Sequence, residues 1–377
     1  MSSIRFKITS EDKKSNAHTA SIKTPRGIIN TPEFVPVATQ AAVKALTTAQ
    51  LKDIKNQILM VNTYHMYLRP SADLIEKFGG LHKFMSWQKP LMTDSGGFQI
   101  LSLNKPGQNK SLVKISDEKI TFKSHIDFSS HEFTPEKSIA IQEKLGADII
   151  FAFDECIHFE SSESDIKKSL ARTHAWAERC IAAKQRKDQA LLGIVQGGRF
   201  KSLRKQSAEF ISSLPFNGHA IGSIFGKPKT ETYSIIKHVM NSLPANKPVH
   251  LLGIGAIDDI FAGVERGIDL FDCVLPTRLA RVGYIFSSEC TKRTKWRYRI
   301  TNSTFKTDQQ PLDKHCTCYV CTNFSRAYLY HLFKANELLS YTLATYHNIA
   351  FFSNLMQSIR DSIKDDKFQK LKKTWMR

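Results

Sequence analysis

"TPEKSIAIQEKLGADIIFAFDEC", residues 134–156, decides the fold. A threonine cap and a proline open the stretch and a glycine ends its first half, which predicts a helix over 134–146. Directly after it comes "DIIFAFD" (148–154), a near-continuous apolar run that ends on a carboxylate. A strand that is apolar on both faces belongs to a parallel sheet covered on both sides. The unit is therefore a helix feeding a buried strand, with a polar residue at the strand's carboxyl end.

Seven further runs of the same kind lie on either side: 33–39, 58–63, 90–94, 191–196, 219–224, 248–255 and 270–275. Residues 162–187 form a second helical segment, with apolar residues three and four apart. Eight β-then-α units in a chain of 377 residues predict an α/β fold, a (β/α)8 TIM barrel. A doubly wound open sheet is the alternative that the same pattern allows. Residues 102–133 read as a long insertion with a small hairpin or two. After about residue 286 the pattern changes to polar residues, a cysteine cluster and a helical tail with basic patches.

Barrel enzymes place their chemistry at the carboxyl ends of the strands. Asn62, Asp94, Asp154, Gln196, Ser223 and Asp272 all stand at the ends of apolar runs. A single aspartate there is commonly a helix cap; six polar ends arranged alike point to a site. In "MTDSGGFQ", Asp94 is followed by Ser95, Gly96 and Gly97, where backbone can approach a ligand closely, and by Phe98, a face for stacking a flat base. Asp154 can accept hydrogen bonds from a guanine-like edge, and Gln196 can both donate and accept. Asp94 and Asp272 on one barrel face fit retaining glycoside chemistry, in which one carboxylate forms a covalent sugar adduct and the other moves a proton. Asp269 is expected on the opposite side of its strand from Asp272. Arg278 and Arg281 suit phosphates or base edges beside the site.

The chain carries 54 Lys and Arg against 35 Asp and Glu, a net charge of +19, which favours a polyanionic partner such as nucleic acid. Hydrophobic content of 41% is enough for a sizeable core, and no apolar run is long enough to span a bilayer. The opening "MSSIRFKITSEDKKSN" has no apolar signal core, so a cytoplasmic location is expected. Three of the seven cysteines crowd into "CTCYVC". Cys316, Cys318 and Cys321 with one histidine would make a closed tetrahedral zinc site of structural type. His347 is the expected fourth ligand, with His315 and His331 as rivals.

The motifs "NTYHMYLRP", "TDSGGFQILSL", "FDEC", "GIVQGG", "RGIDLFDCVLPTRLAR", "PLDKHCTCYVCTNFSRAYLYHL" and "TYHN" together resemble the bacterial-type tRNA-guanine transglycosylases, over residues 5–365. The resemblance implies a barrel with an N-terminal β extension over 1–285. It implies a zinc-binding subdomain and C-terminal helices packing on the barrel over 286–377. It implies exchange of the wobble guanine, position 34, of tRNAs with GUN anticodons for a 7-deazaguanine on the route to queuosine. By motif match, Asp272 would be the nucleophile on ribose C1′ and Asp94 the proton donor and acceptor. Asp154, Gln196, Gly222 and Ser223 would bind the base, with Ser95, Gly96 and Gly97 beside it. Phe98 and Leu252 would sandwich it. Contacts to tRNA would come from Gly253, Ile254, Gly255, Ala256, Ile257, Asp258 and Asp259, and from Thr277, Arg278, Leu279, Ala280 and Arg281. Cys316, Cys318, Cys321 and His347 would hold one Zn²⁺. The partners implied are the tRNA anticodon arm, a free 7-deazaguanine base and a second copy of the chain in a homodimer. A non-catalytic tRNA-binding subunit on the same fold is the alternative function.

One stretch departs from the family. "GHAIGSIFGKPK" (218–229) is no phosphate loop, because Gly222 and Gly226 are too close together and Lys227 is followed by Pro228. The family pattern resembles A-I-G-G-L-[SA]-V-G-E. Here the loop is one residue shorter, Ser223 replaces the second glycine, and Lys227 replaces the glutamate. In the bacterial pattern the glutamate helps a peptide present a carbonyl to the aminomethyl cation of prequeuine, the 7-aminomethyl-7-deazaguanine precursor. A lysine would repel that cation. The expectation is a pocket shifted away from prequeuine toward the bulkier queuine, which is also cationic, so that Lys227 must then point outward.

Overall fold

The computed structural model describes residues 4–102, 112–223, 226 and 228–377. In chain order its strands are β1 (Arg5–Glu11), β2 (His18–Thr24), β3 (Gly27–Thr31), β4 (Glu33–Ala38), β5 (Leu59–Val61) and β6 (Leu91–Thr93). Then come β7 (Val113–Ile115), β8 (Ile120–Lys123), β9 (Ser130–Phe133), β10 (Ile149–Phe151), β11 (Ala190–Val195) and β12 (Gly218–Ile221). The last are β13 (Val249–Leu251), β14 (Leu270–Cys273), β15 (Tyr284–Phe286) and β16 (Arg297–Arg299). Strands β4, β5, β6 and β10–β14 form a closed parallel barrel. The closing seam joins the first strand to the last, with Glu33 opposite Leu270 and Val35 opposite Asp272. That seam excludes the open doubly wound sheet. Each of the eight apolar runs supplies one barrel strand, shorter than the run in most cases. The residues left over at the carboxyl ends turn out of the barrel and carry the polar groups.

Alternation along the strands divides the core in two. Ile149 and Phe151 of β10 point into the barrel, where they meet Val35, Met60, Met92, Leu192 and Ile194. Ile150 faces the outer layer with Val61, Leu191, Val195, Leu251 and Phe271. Ile22 and Ile29 of the antiparallel β1–β3 sheet join the inner cluster and cover one end of the barrel. Which end is fixed by two buried carboxylates that precede strands. Asp269 accepts from Thr31 Oγ1 (2.8 Å) and Val249 N (2.9 Å), and Asp148 accepts from Arg26 (3.0 Å) and Leu91 N (2.9 Å). Both lie at the amino end, so the carboxyl end is the one left open. Asp269 is thus tied into the amino end, away from the face that carries Asp272.

The opening helix runs Pro135–Leu145, with the Thr134 side chain accepting from Lys137 N and Gly146 ending it at φ 75°. That left-handed conformation is one glycine adopts without strain. The helix Glu163–Ala183 is capped by Ser162 in the same way. The insertion after β6 holds the three-stranded antiparallel sheet β7–β9, one strand more than a hairpin; its residues 103–111 lie outside the described residues.

Beyond β14 the chain makes the β15–β16 ribbon and then the helices Tyr319–Asn323, Arg326–Lys334, Leu339–Lys364 and Phe368–Trp375. The long Leu339–Lys364 helix lies against the barrel seam. Phe352 packs on Phe34 of β4 with ring centroids 4.7 Å apart. Arg360 Nη1 donates to Glu33 Oε2 (3.0 Å) and to the Pro32 carbonyl (2.7 Å). Among the described residues, no helix is long and apolar enough to cross a membrane.

Candidate active site

A cavity of about 470 Å³ opens at the carboxyl end of the barrel. Its lining includes Asp94, Ser95, Gly96, Phe98, Asp154, Gln196, Gly222, Ser223, Leu252, Gly253, Asp272 and Arg278. These expected site residues, drawn from six barrel strands and the turns after them, face one space. Gly97 does not line it: it is buried behind, with its N–H donating to Ser95 Oγ at 3.2 Å and no room for a Cβ beside the Asp154 carbonyl. Its floor is apolar, with Val37, Met60, Phe151 and Ile194 from the strands themselves.

Asp94 follows β6 and is held from three sides. Thr63 N donates to Oδ1 at 2.8 Å, Gln99 Nε2 donates to Oδ2 at 2.7 Å, and Asn62 Nδ2 donates to Oδ2 as well. Burial pushes its pKa up to about 6; the three hydrogen bonds oppose the rise and the negative charge of Asp272 adds to it. A carboxyl group poised there can give a proton and take it back near neutral pH.

Asp154 lies just past β10 and is 5% exposed. Ser95 Oγ donates to its Oδ1 at 3.2 Å and Gln196 Nε2 to its Oδ2 at 2.7 Å. Burial pushes this pKa also up to about 6, with the charges of Asp94 and Glu155 acting in the same direction. Gln196 Oε1 is buried and has no hydrogen-bond partner among the described residues. A carboxylate beside an unused amide oxygen forms an acceptor-rich edge, which suits the N1–H and amino group of a guanine-like base.

Asp272 is near the end of β14. His250 Nε2 and Gly253 N both bond to its Oδ1, at 2.8 and 2.9 Å. His250 Nδ1 is buried without a partner among the described residues, which assigns the proton to Nε2 as donor. Oδ2 remains the oxygen available to a substrate.

The wall formed after β12 holds Ser223, whose φ of 50° is uncommon for a residue other than glycine. Its Oγ lies 2.9 Å from Cys156 Sγ, which also lines the cavity. Burial pushes the Cys156 thiol up to about 12, so it is a neutral wall rather than a nucleophile. Lys227, expected to mark the departure from prequeuine, lies outside the described residues.

The two segments expected to touch RNA divide into surface and support. Gly253 and Arg278 reach the cavity, and Arg278 is exposed. Ile254, Gly255, Ile257, Thr277 and Ala280 are buried beneath it. Asp258 and Asp259 pair with Lys229 at 2.8 and 2.9 Å, and Ala256, Leu279 and Arg281 are half-buried.

Cys316, Cys318, Cys321 and His347 meet with their ligand atoms within 4.8 Å of one another, a cluster that could hold a metal ion. His315 and His331 are not part of it. The donor set fits zinc. Cys321 Sγ and Cys318 Sγ lie 3.2 and 3.6 Å from His347 Nδ1, near the edges of a tetrahedron with metal–ligand bonds of about 2.0–2.3 Å. His347 Nε2 is 2.7 Å from the Phe286 carbonyl, which fixes Nδ1 as the ligating nitrogen.

Several residues that line or support the site were not singled out from the sequence, among them Cys156 in the lining, Gln99 and His250 beside the carboxylates, and Arg204, which holds the carbonyls of Gly222 and Ser223 from behind. Gln99 is in "SGGFQ" and supports Asp94. His250 was visible as a histidine inside the apolar run "PVHLLGIG". Arg204 lies in the basic helix Lys201–Ser213, where nothing separates it from a solvated charge.

A family described as queuine tRNA-ribosyltransferase matches residues 12–377. Three curated relatives bear that name. The protein of Thermoanaerobacter pseudethanolicus is 46% identical over 379 residues, covering 100% of this chain and 98% of its own length. That of Halothermothrix orenii is 46% identical over 376 residues, with the same coverage. That of Herpetosiphon aurantiacus is 48% identical over 372 residues, covering 98% of this chain and 92% of its own.

Proposed function

The chain belongs to the queuine tRNA-ribosyltransferase family, and on that premise we propose that it exchanges the wobble guanine of GUN-anticodon tRNAs for a 7-deazaguanine. The observation that carries this reading is the convergence of Asp94 and Asp272 on one cavity with the acceptor edge of Asp154 and Gln196. The target nucleotide is turned out of its stack into that cavity. Asp154 and Gln196 Oε1 accept from N1–H and the amino group, and Phe98 and Leu252 cover the two faces of the base.

Asp272 Oδ2 attacks ribose C1′ while His250 and Gly253 N hold Oδ1. The C1′–N9 bond breaks, the C1′–O bond to Asp272 forms, and Asp94 gives its proton to the departing guanine. In the second displacement Asp94 takes the N9 proton of the incoming base. That nitrogen then bonds to C1′ and frees Asp272. Protons balance over the cycle, and no redox partner or nucleotide cofactor is needed. Zinc, held by three thiolates and one imidazole, would have no open position and would serve folding rather than the exchange. The anticodon arm would lie over Arg278 and the surrounding basic surface, and the enzyme would work as a homodimer. Ser223 and Lys227 support a shift of the base pocket away from prequeuine, with queuine as the preferred base.

The test is a trapped adduct between enzyme and a GUN-anticodon stem-loop, resolved under denaturing conditions. Wild-type protein forms it. Asp272→Asn forms none and loses activity by about 10³-fold or more. An Asp272→Asn protein that still forms the adduct defeats the assignment, and a wild type that binds the stem-loop but forms no adduct favours a non-catalytic subunit. Offering queuine and prequeuine in turn to tRNA loaded with labelled guanine decides the base. Equal or better release by prequeuine would sink the queuine preference.

A further inference from the structure

Arg204 is fully buried, and none of its hydrogen bonds goes to a carboxylate. A buried guanidinium is costly unless its five donors are used. Here they serve four main-chain carbonyls. Nε donates to Gly198 O at 2.8 Å, Nη1 to Val195 O at 3.1 Å and Gly222 O at 2.8 Å, and Nη2 to Ser223 O at 3.0 Å. Val195 ends β11, Gly198 lies in the turn after it, and Gly222 and Ser223 lie in the turn after β12. The first turn carries Gln196 and the second carries the Ser223 wall. One side chain therefore fastens together both turns that face the edge of the base.

The approach is built into the backbone. Gly197 has φ 137°, and a Cβ there would sit 2.8 Å from Arg204 N. Only glycine lets the turn press against the start of the Lys201–Ser213 helix. The same helix sends Ser207, whose Oγ accepts from Gln196 N at 3.1 Å.

The grip also sets the direction of a peptide. In a trans peptide the C=O and the next N–H point to opposite sides. Arg204 holds the Gly222 carbonyl, so the N–H of Ser223 points away from Arg204. Gly222 and Ser223 line the cavity and Arg204 does not, so that side is the side of the base. We propose that Arg204 is a positioning residue for base recognition: by holding the carbonyls of Gly222 and Ser223 it aims the Ser223 N–H at the 6-oxygen of the bound purine. This rests on the base-exchange reading above. Lysine cannot substitute, because one ammonium cannot reach carbonyls spread over two turns in a planar fork.

The experiment measures incorporation of guanine and of 6-thioguanine into a tRNA stem-loop by Arg204→Lys and Arg204→Gln. The thio base keeps N1–H and the amino group and puts a weaker, larger acceptor at position 6; the comparison between wild type and variants cancels what sulfur does to the base itself. Wild type prefers the oxo base by about tenfold, as for one hydrogen bond in a buried site. In the variants this preference falls toward parity and KM for the base rises about tenfold or more, while KM for tRNA stays within about twofold. Equal use of the two bases by wild type, or an unchanged oxo preference in the variants, overturns the proposal. A wild type that incorporates neither base defeats the base-exchange reading itself. Should both variants fail to fold, the Ser223 amide of wild-type protein labelled with ¹⁵N-serine carries the test. Guanine binding shifts its proton downfield if the N–H donates to the base, and an unmoved signal overturns the proposal.

Discussion

Asp94 and Asp154 are both raised to about 6, and burial is the leading cause in each case. Their hydrogen bonds come from neutral amides and hydroxyls, which lose to the cost of desolvating a carboxylate. The sign for stability follows. A carboxyl whose folded pKa lies above its unfolded value of about 3.9 binds its proton more tightly when folded. Its contribution is present below about pH 4 and is lost as the pH rises through about 6. Asp154→Asn should therefore stabilise the protein by about 3 kcal/mol at pH 7.5, a gain that shrinks to nothing near pH 4. Thermal melts across that range check it, and a gain independent of pH would mean that the ionised carboxylate is not the cause. Base exchange by the same variant should fall at every pH, because one of the two acceptor oxygens becomes an N–H donor that opposes the donor edge of a guanine-like base. The positions of both aspartates were legible as polar ends of apolar runs. Their raised pKa values were not, because desolvation, the charge of Asp272 beside Asp94 and the charge of Asp94 beside Asp154 come from groups far away in sequence.

At the scale of elements, the joint between the long C-terminal helix and the barrel includes a buried ion pair, Arg360 with Glu33. Arg360 and Glu33 are 6% and 3% exposed. Burial raises the Glu33 pKa, with the Arg360 charge and the hydrogen bonds from Gln57, Phe34 N and Arg360 opposing it. Removing one partner of such a pair strands the other charge. Arg360→Met should cost about 3–5 kcal/mol in urea unfolding, and adding Glu33→Gln should recover most of it. Equal losses in the single and double variants would show that Arg360 acts through packing alone. Nothing in the run "EFVPVAT" marks Glu33 as the anchor of a C-terminal helix. The strands themselves were legible, because a parallel barrel needs continuous apolar runs and the chain supplies eight. The inserted sheet was legible as a hairpin or two, which β7–β8 and β8–β9 are, but its strand bounds were not, since short antiparallel strands of mixed polarity carry a weak signal.

Across the whole molecule the net charge of +19 is the feature most visible in composition. If it serves to hold an anticodon arm, binding releases counterions and depends steeply on salt. Affinity for a tRNA stem-loop should fall by about tenfold or more between 50 and 200 mM salt. Titrations at several salt concentrations measure the slope, and a flat response would remove charge as the basis of binding. Arg278 at the cavity mouth belongs to this surface, whereas Arg204, equally cationic by composition, is wholly inside. Net charge cannot separate the two.

The sequence by itself determined the barrel strands, the polar residues at their carboxyl ends and the cysteine cluster. Each is written in local pattern: apolar runs, turn residues and thiol spacing. The tertiary structure closed the sheet and brought His347 to the cluster, both as expected, and so removed the open sheet and the rival histidines His315 and His331. It alone placed His250 against Asp272 and Arg204 behind the Gly222–Ser223 wall of the cavity. Those outcomes depend on groups brought together from distant parts of the chain, and on the loss of water around them, neither of which a local pattern records.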